Sequence, residues 1–137
     1  MTVIVDASVA LKWVLEEDGS DAARRLADDE LMVAPELLLT ECANALRTKV
    51  RFGQLDPALS TACLVAIQAM PSRLTPIRSH IAAAHAIALE IDRSAYDSLY
   101  LAVALAERAT LVTADARFAS AALSHPAYRD ALRLLKA

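Results

Sequence analysis

Thr2-Val3-Ile4-Val5-Asp6-Ala7-Ser8-Val9 is the stretch that decides how the chain is read. The consecutive branched apolar residues Val3, Ile4 and Val5 predict a short buried strand. The strand stops at a carboxylate, Asp6, and an alanine-rich helical pattern follows at once through Ala10, Leu11 and Trp13. A strand that hands over directly to a helix predicts an α/β chain. An acid at the carboxyl end of such a strand stands where these folds gather their chemistry. The rest of the sequence bears on whether other acids reach the same edge.

The alternation continues outward from this start. The first helix is expected from Ala7 to about Glu16, and Gly19-Ser20 breaks it. Ser20 is expected to cap a second short helix, Asp21 to Asp28, with Asp21 near its positive end. Leu31 to Ala34 reads as a second strand, and Pro35 as the opening of the next helix. On that helix, Glu36 to about Phe52, residues Leu38, Glu41, Ala45, Thr48 and Phe52 recur at three- and four-residue steps, which places Glu41 in a largely apolar stripe. Gly53 closes it. Asp56-Pro57 opens another helix reaching about Met70. Leu74 to Ile77 contains Pro76 and so predicts a short or edge strand. Ser79 to Ile91 is an Ala-rich helix, Asp92-Arg93 a turn, and Ser94 to about Arg108 the most apolar helix, expected to be central. Thr110 to Thr113 is a fourth strand, Ala116 to Leu123 a short helix, and Leu132 to Leu135 a last edge strand. Strands alternating with helices predict a three-layer α/β/α domain over residues 1–137, with a short, mostly parallel central sheet.

The totals agree. A chain of 137 residues, 56% hydrophobic with 2 Gly and 5 Pro, fits one helix-rich domain and excludes disorder and turn-rich all-β folds. A net charge of −3 gives no basic footprint for nucleic acid, but it leaves room for an enzyme that collects cations. Cys42 and Cys63 lack metal-ligand spacing and read as small core residues in a reducing compartment. The chain shows no secretory pattern. Its longest apolar run, Leu99 to Ala106, falls far short of the ~20 residues that span a bilayer. A cytoplasmic protein with no membrane contact is expected.

Asp6, Glu41, Asp97 and Asp115 each interrupt an apolar context. Each has an ordinary reading. Asp6 and Asp115 can cap the helices that follow them, Asp97 stands three residues after Ser94 as in a capping box, and Glu41 can sit on a helix edge. Jointly they point elsewhere. Asp6 and Asp115 follow strands of one parallel sheet, Asp97 opens the helix that leads into the fourth strand, and Glu41 is within reach of the same edge. Four carboxylates in one pocket raise one another's pKa values or recruit a cation. Oxygen ligands with open positions suit Mg²⁺ or Mn²⁺, and such a site fits hydrolysis of a phosphodiester by a metal-activated water.

Asp6-Ala7-Ser8-Val9-Ala10-Leu11-Lys12-Trp13, Glu41-Cys42-Ala43-Asn44-Ala45-Leu46, Ala95-Tyr96-Asp97-Ser98-Leu99-Tyr100-Leu101-Ala102 and Thr113-Ala114-Asp115 resemble, in this order, the motif set of PIN-domain ribonucleases. The chain is most similar among these to the VapC toxins of bacterial toxin–antitoxin pairs. The resemblance implies a homodimeric Mg²⁺- or Mn²⁺-dependent endoribonuclease acting on RNA. It also implies a cognate antitoxin that holds the enzyme inactive, with DNA contacted only through that antitoxin. It carries over Asp6, Glu41, Asp97 and Asp115 as catalytic and metal-binding acids, with Ser8, Asn44 and Thr113 as their polar support. Where some relatives have a further acid after Asp115, this chain has Arg117 and Phe118.

Two other functions compete. One is a phosphatase with an aspartyl nucleophile at Asp6; it needs a second acid two residues on, where Ser8 stands. The other is a non-catalytic interaction module that binds its antitoxin while the acids merely cap helices. His80, His85 and His125 fall outside the motifs and are expected at the surface or in the core. Tyr96 and Tyr100 are expected to pack, with base stacking as the rarer alternative. Trp13 is expected to pack, and Arg47, Lys49 and Arg51 to form a solvated helix end.

Overall fold

The structure, a computed structural model, describes residues 1–136. Five strands and seven helices alternate: β1 Thr2–Val5, α1 Ala7–Val14, α2 Ser20–Asp29, β2 Leu31–Pro35, α3 Leu37–Arg51, α4 Pro57–Ala69, β3 Arg73–Thr75, α5 Ile81–Ile91, α6 Ala95–Glu107, β4 Thr110–Thr113, α7 Ala116–Leu123 and β5 Leu132–Leu134. The strands form one parallel sheet in the order β3-β2-β1-β4-β5. Parallel pairing needs crossovers, and the helices supply them as layers on the sheet. Helices α1 to α4 pack among themselves, and α5 packs along α6, which also contacts β1, β2 and β4. This is the expected α/β/α architecture. No helix among the described residues is long and apolar enough to cross a membrane.

The core follows from the two periodicities. Val3, Ile4 and Val5 of β1 and Leu111 and Val112 of β4 are buried on both faces, as central parallel strands require. Helix α6 is buried continuously from Ser98 to Ala104, which makes it the central helix its composition predicts. Cys42 and Cys63 are free and buried.

Three local expectations are corrected. Ser20 does not cap α2: Gly19 takes that position at φ +89°, a left-handed conformation that favours glycine. Ser20 is already helical, and its hydroxyl donates to the Leu15 carbonyl (2.7 Å) and accepts from the Glu17 amide (3.0 Å). Pro35 does not open α3 but closes β2, opposite Thr75; lacking an N–H costs little at a strand end. The buried stripe of α3 is Leu38, Cys42 and Leu46, one turn apart, while Phe52 is 69% exposed. The stripe is thus rotated from the expected one, and half-buried Glu41 lies on its flank. At the far end of α3, Gly53 (φ +71°) does close the helix. Its amide and that of Gln54 bond back to Val50 and Lys49, a Schellman stop.

Candidate active site at the carboxyl edge of the sheet

Strands β1 and β4 are neighbours at the centre of the sheet, and the chain runs outward from them in both directions. Crevices at such a switch point, outside the carboxyl ends of the strands, are where α/β sheets hold ligands. Asp6 is the first residue past β1. Asp115 follows β4 by two residues, and Asp97 stands in the first turn of α6.

Asp6 and Asp115 cap the helices that follow them, whereas Asp97 makes only half of a capping box: its amide bonds Ser94 and its side chain turns to Arg93. An Asp6 oxygen accepts from the Val9 amide at 3.3 Å. Asp115 accepts from the amides of Arg117 and Phe118 at 3.0 and 3.1 Å. The Asp97 amide donates to Ser94 Oγ at 3.1 Å. Capping does not compete with convergence; it aims the carboxylates, because each capped helix begins at this edge.

Asp6 is 5% exposed. Ser8 Oγ donates to its Oδ1 and Thr113 Oγ1 to its Oδ2, both at 2.5 Å. The same hydroxyls accept from the Ala114 and Asp115 amides at 2.8 and 3.1 Å, so the loop after β4 is pinned to the acid after β1. Burial pushes the Asp6 pKa up to about 6, against the lowering effect of Ser8, Thr113 and the Val9 amide, and the charge of Asp97 adds to the rise. Ser8 and Thr113 thus each hold one oxygen of Asp6.

Glu41 comes from α3, on the opposite helical layer from α6. The hydroxyl of Tyr100, a residue only 1% exposed, donates to Glu41 Oε1 at 2.6 Å. Burial raises the Glu41 pKa, Tyr100 lowers it, and Asp97 raises it. Burial likewise holds the Tyr100 hydroxyl protonated. The neighbouring Cys42 thiol is pushed up to about 12, chiefly by burial and then by the charges of Glu41 and Asp6, so it is inert packing rather than a nucleophile. Asn44, expected to support Glu41, is exposed one turn further along α3. Among the described residues its side chain makes no hydrogen bond to the glutamate.

Sequence reading missed Arg93. Asp92-Arg93 reads as a turn, and Asp92 is indeed left-handed at φ +53°. Yet Arg93 Nη2 lies 3.0 Å from Asp97 Oδ2 and 3.2 Å from Asp115 Oδ2, bridging the two acids. Its Nε is buried and unpaired. Arg93 precedes the cap Ser94, so no helix spacing ties it to Asp97 in the sequence. The histidines lie outside this constellation as expected; His125 pairs with Glu90 at 3.2 Å and stacks on Tyr128.

The donor set is all carboxylate oxygen, with hydroxyls behind it. One guanidinium already occupies the space between Asp97 and Asp115, and Asp97 acts electrostatically on both Asp6 and Glu41. A hard divalent cation fits such donors. Among the described residues no three acids, histidines or cysteines are drawn into a ready cage.

Fold and site together define a class: a three-layer α/β domain with an acid-lined, cation-attracting crevice at the switch point of a parallel sheet. Residues 3–123 match the model of the PIN domain. Ribonuclease VapC9 of Mycobacterium tuberculosis is 35% identical over 84% of this chain and 87% of its own length. The chain belongs to the PIN-domain family, in its VapC ribonuclease branch. Among solved structures it resembles in fold the sarcin–ricin loop cleaving toxin VapC20 of Mycobacterium tuberculosis (TM-score 0.69, 17% identity, 87% of this chain and 94% of that one). It also resembles VapBC2 of Rickettsia felis bound to a promoter DNA fragment (TM-score 0.70, 14% identity, 99% of this chain and 100% of that one).

Proposed function

We propose that the protein is a Mg²⁺- or Mn²⁺-dependent endoribonuclease, the toxin of a toxin–antitoxin pair, with Asp6, Glu41, Asp97 and Asp115 as its metal-binding and catalytic acids. The observation that carries this reading is the charge arrangement. Asp97 acts on Asp6 and Glu41, and Arg93 joins Asp97 to Asp115, so the four acids are linked pair by pair at one edge of the sheet. Asp97 and Asp115, with side chains 28% and 37% exposed, are the accessible ligands, and Asp6 and Glu41 are the inner ones.

When bound, the ion supplies charge that lowers the pKa of an attacking water and stabilises the phosphorus and leaving-group oxygens. The chain's own residues fix the geometry. Ser8 and Thr113 hold both Asp6 oxygens in one orientation, and Tyr100 does the same for Glu41. Arg93 bridges Asp97 and Asp115, and its guanidinium would pair with phosphate if those acids were taken up by a metal ion. No histidine serves as base.

An aspartyl-phosphate route is disfavoured because the position for its second acid is Ser8, whose hydroxyl is committed to Asp6. The partners that accompany the proposed role are a cognate antitoxin, a second copy of the chain and an RNA substrate, all in the cytoplasm, with DNA reached through the antitoxin. The test is cleavage of total cellular RNA by purified, antitoxin-free protein. Discrete cuts that need Mg²⁺ or Mn²⁺ and vanish with chelator and in Asp6→Asn are expected. Cutting that survives in Asp6→Asn overturns the assignment.

A further inference from the structure

Beside Glu41 lies an open cleft of about 410 Å³ between the start of α3 and the start of α6. Leu37, Thr40, Glu41, Asn44, Ala45 and Tyr96 line it. Its lining is mostly apolar, and its polar groups are the hydroxyls of Thr40 and Tyr96, the Asn44 amide and the Glu41 carboxylate. Tyr96 immediately precedes Asp97 and is 62% exposed. The neighbouring Tyr100, one turn on, is buried and bound to Glu41, so packing accounts for Tyr100 and leaves Tyr96 unexplained. Asn44 is likewise exposed and free of Glu41. An unpaired aromatic face, an unpaired amide and a hydroxyl, sharing a wall with a proposed catalytic acid, match what a flat heteroaromatic ring with donors and acceptors on its rim requires.

We infer that this cleft is a nucleobase subsite: a base flanking the scissile phosphate stacks on Tyr96, and Asn44 and Thr40 read its hydrogen-bonding edge. The inference rests on the ribonuclease reading and adds the substrate's form, single-stranded RNA with an unstacked base beside the cut. A stacked base in water contributes enough that removing the aromatic ring weakens binding by about tenfold. A partner helix is a poorer occupant, because a helix presents anchors over several turns and this lining spans little more than two turns of α3 and a single residue of α6.

The test uses the full chain with Asp6→Asn as a background that binds without cutting, and a fluorescent short single-stranded RNA of random sequence in Mn²⁺, read by anisotropy. Adding Tyr96→Ala is expected to weaken binding about tenfold and Tyr96→Phe to restore it. In the cutting background, Asn44→Ala is expected to flatten the base preference at one position beside the cut, with Mn²⁺ affinity unchanged. Equal RNA binding by Tyr96→Ala and its background overturns the subsite. So does unchanged RNA binding with loss of a co-expressed antitoxin, which makes the cleft a protein-docking surface. Tyr96-dependent binding without cleavage by the parent chain supports the subsite while overturning the ribonuclease reading, so the two fail separately.

Discussion

The two edges of the sheet treat charge in opposite ways. At the amino edge, Arg73 of β3 meets Glu107 at the end of α6 through two contacts of 2.6 and 3.1 Å, and the terminal ammonium of Met1 meets Glu30 at 3.1 Å. Each acid has its own cation, and Arg73 holds the Glu107 carboxyl below its usual range. At the carboxyl edge Asp97 and Asp115 share Arg93, while Asp6 and Glu41 have no cation and are pushed upward by burial and by Asp97. Stability alone explains the first edge. The second departs from what stability favours, and such departures mark functional sites.

The contrast breaks most visibly if Asp97 is neutralised. Asp97→Asn is expected to slow RNA cleavage on the order of 10³-fold with an unchanged melting temperature, because the Ser94 cap uses the backbone amide; Glu107→Gln at the other edge is expected to leave the rate alone. Comparable initial rates in the two variants would erase the distinction.

The next effect in size is on folding. The Asp6 pKa is raised when folded, from 3.8 to about 6, so the folded state binds the proton more tightly than the unfolded one. The destabilisation is complete above the folded value and is relieved as pH falls toward the unfolded value. The metal-free parent is therefore expected to gain stability as pH falls from about 6 toward 3.8, a gradient that Asp6→Asn, with no proton to take up there, is expected to lack. Urea titrations across that range check the sign.

Removing the shared cation sharpens the imbalance. Arg93→Ala is expected to tighten Mn²⁺ binding about tenfold by calorimetry, since a positive charge no longer stands between Asp97 and Asp115. Tyr100→Phe, which strips Glu41 of its donor, is expected to cost about 1 kcal/mol of stability and to lower the cleavage rate. The smallest effect belongs to the amino edge. Arg73→Ala, half-exposed, is expected to change stability by less than about 1 kcal/mol and cleavage not at all.

What the sequence discloses and what it conceals divide along physical lines. Strands β1 and β4, the buried run of α6 and the capping acids are local patterns, so Thr2 to Val9 and Ser94 to Ala104 read correctly. Register around a helix axis is less firmly written: on α3 two overlapping stripes are available, and tertiary packing chose Leu38, Cys42 and Leu46. Pro35 and Ser20 carry two plausible roles each, and the neighbouring Thr75 strand and Gly19 decide between them. Arg93 was hidden because its meaning depends on Asp115, 22 positions later. The Tyr100–Glu41 bond, 59 positions apart, was hidden for the same reason.

Asp6 and Asp115 are helix caps and, in the proposed function, site acids as well. Asparagine caps a helix about as well as aspartate. A chain disarmed by an Asp→Asn exchange therefore gives the cell's folding quality control little to recognise, since triage follows the unfolded fraction. Silenced Asp115→Asn copies are expected to persist at an abundance close to that of active ones. Selection against this activity has an exit that leaves the fold standing, and abundance alone will not tell an armed chain from a spent one.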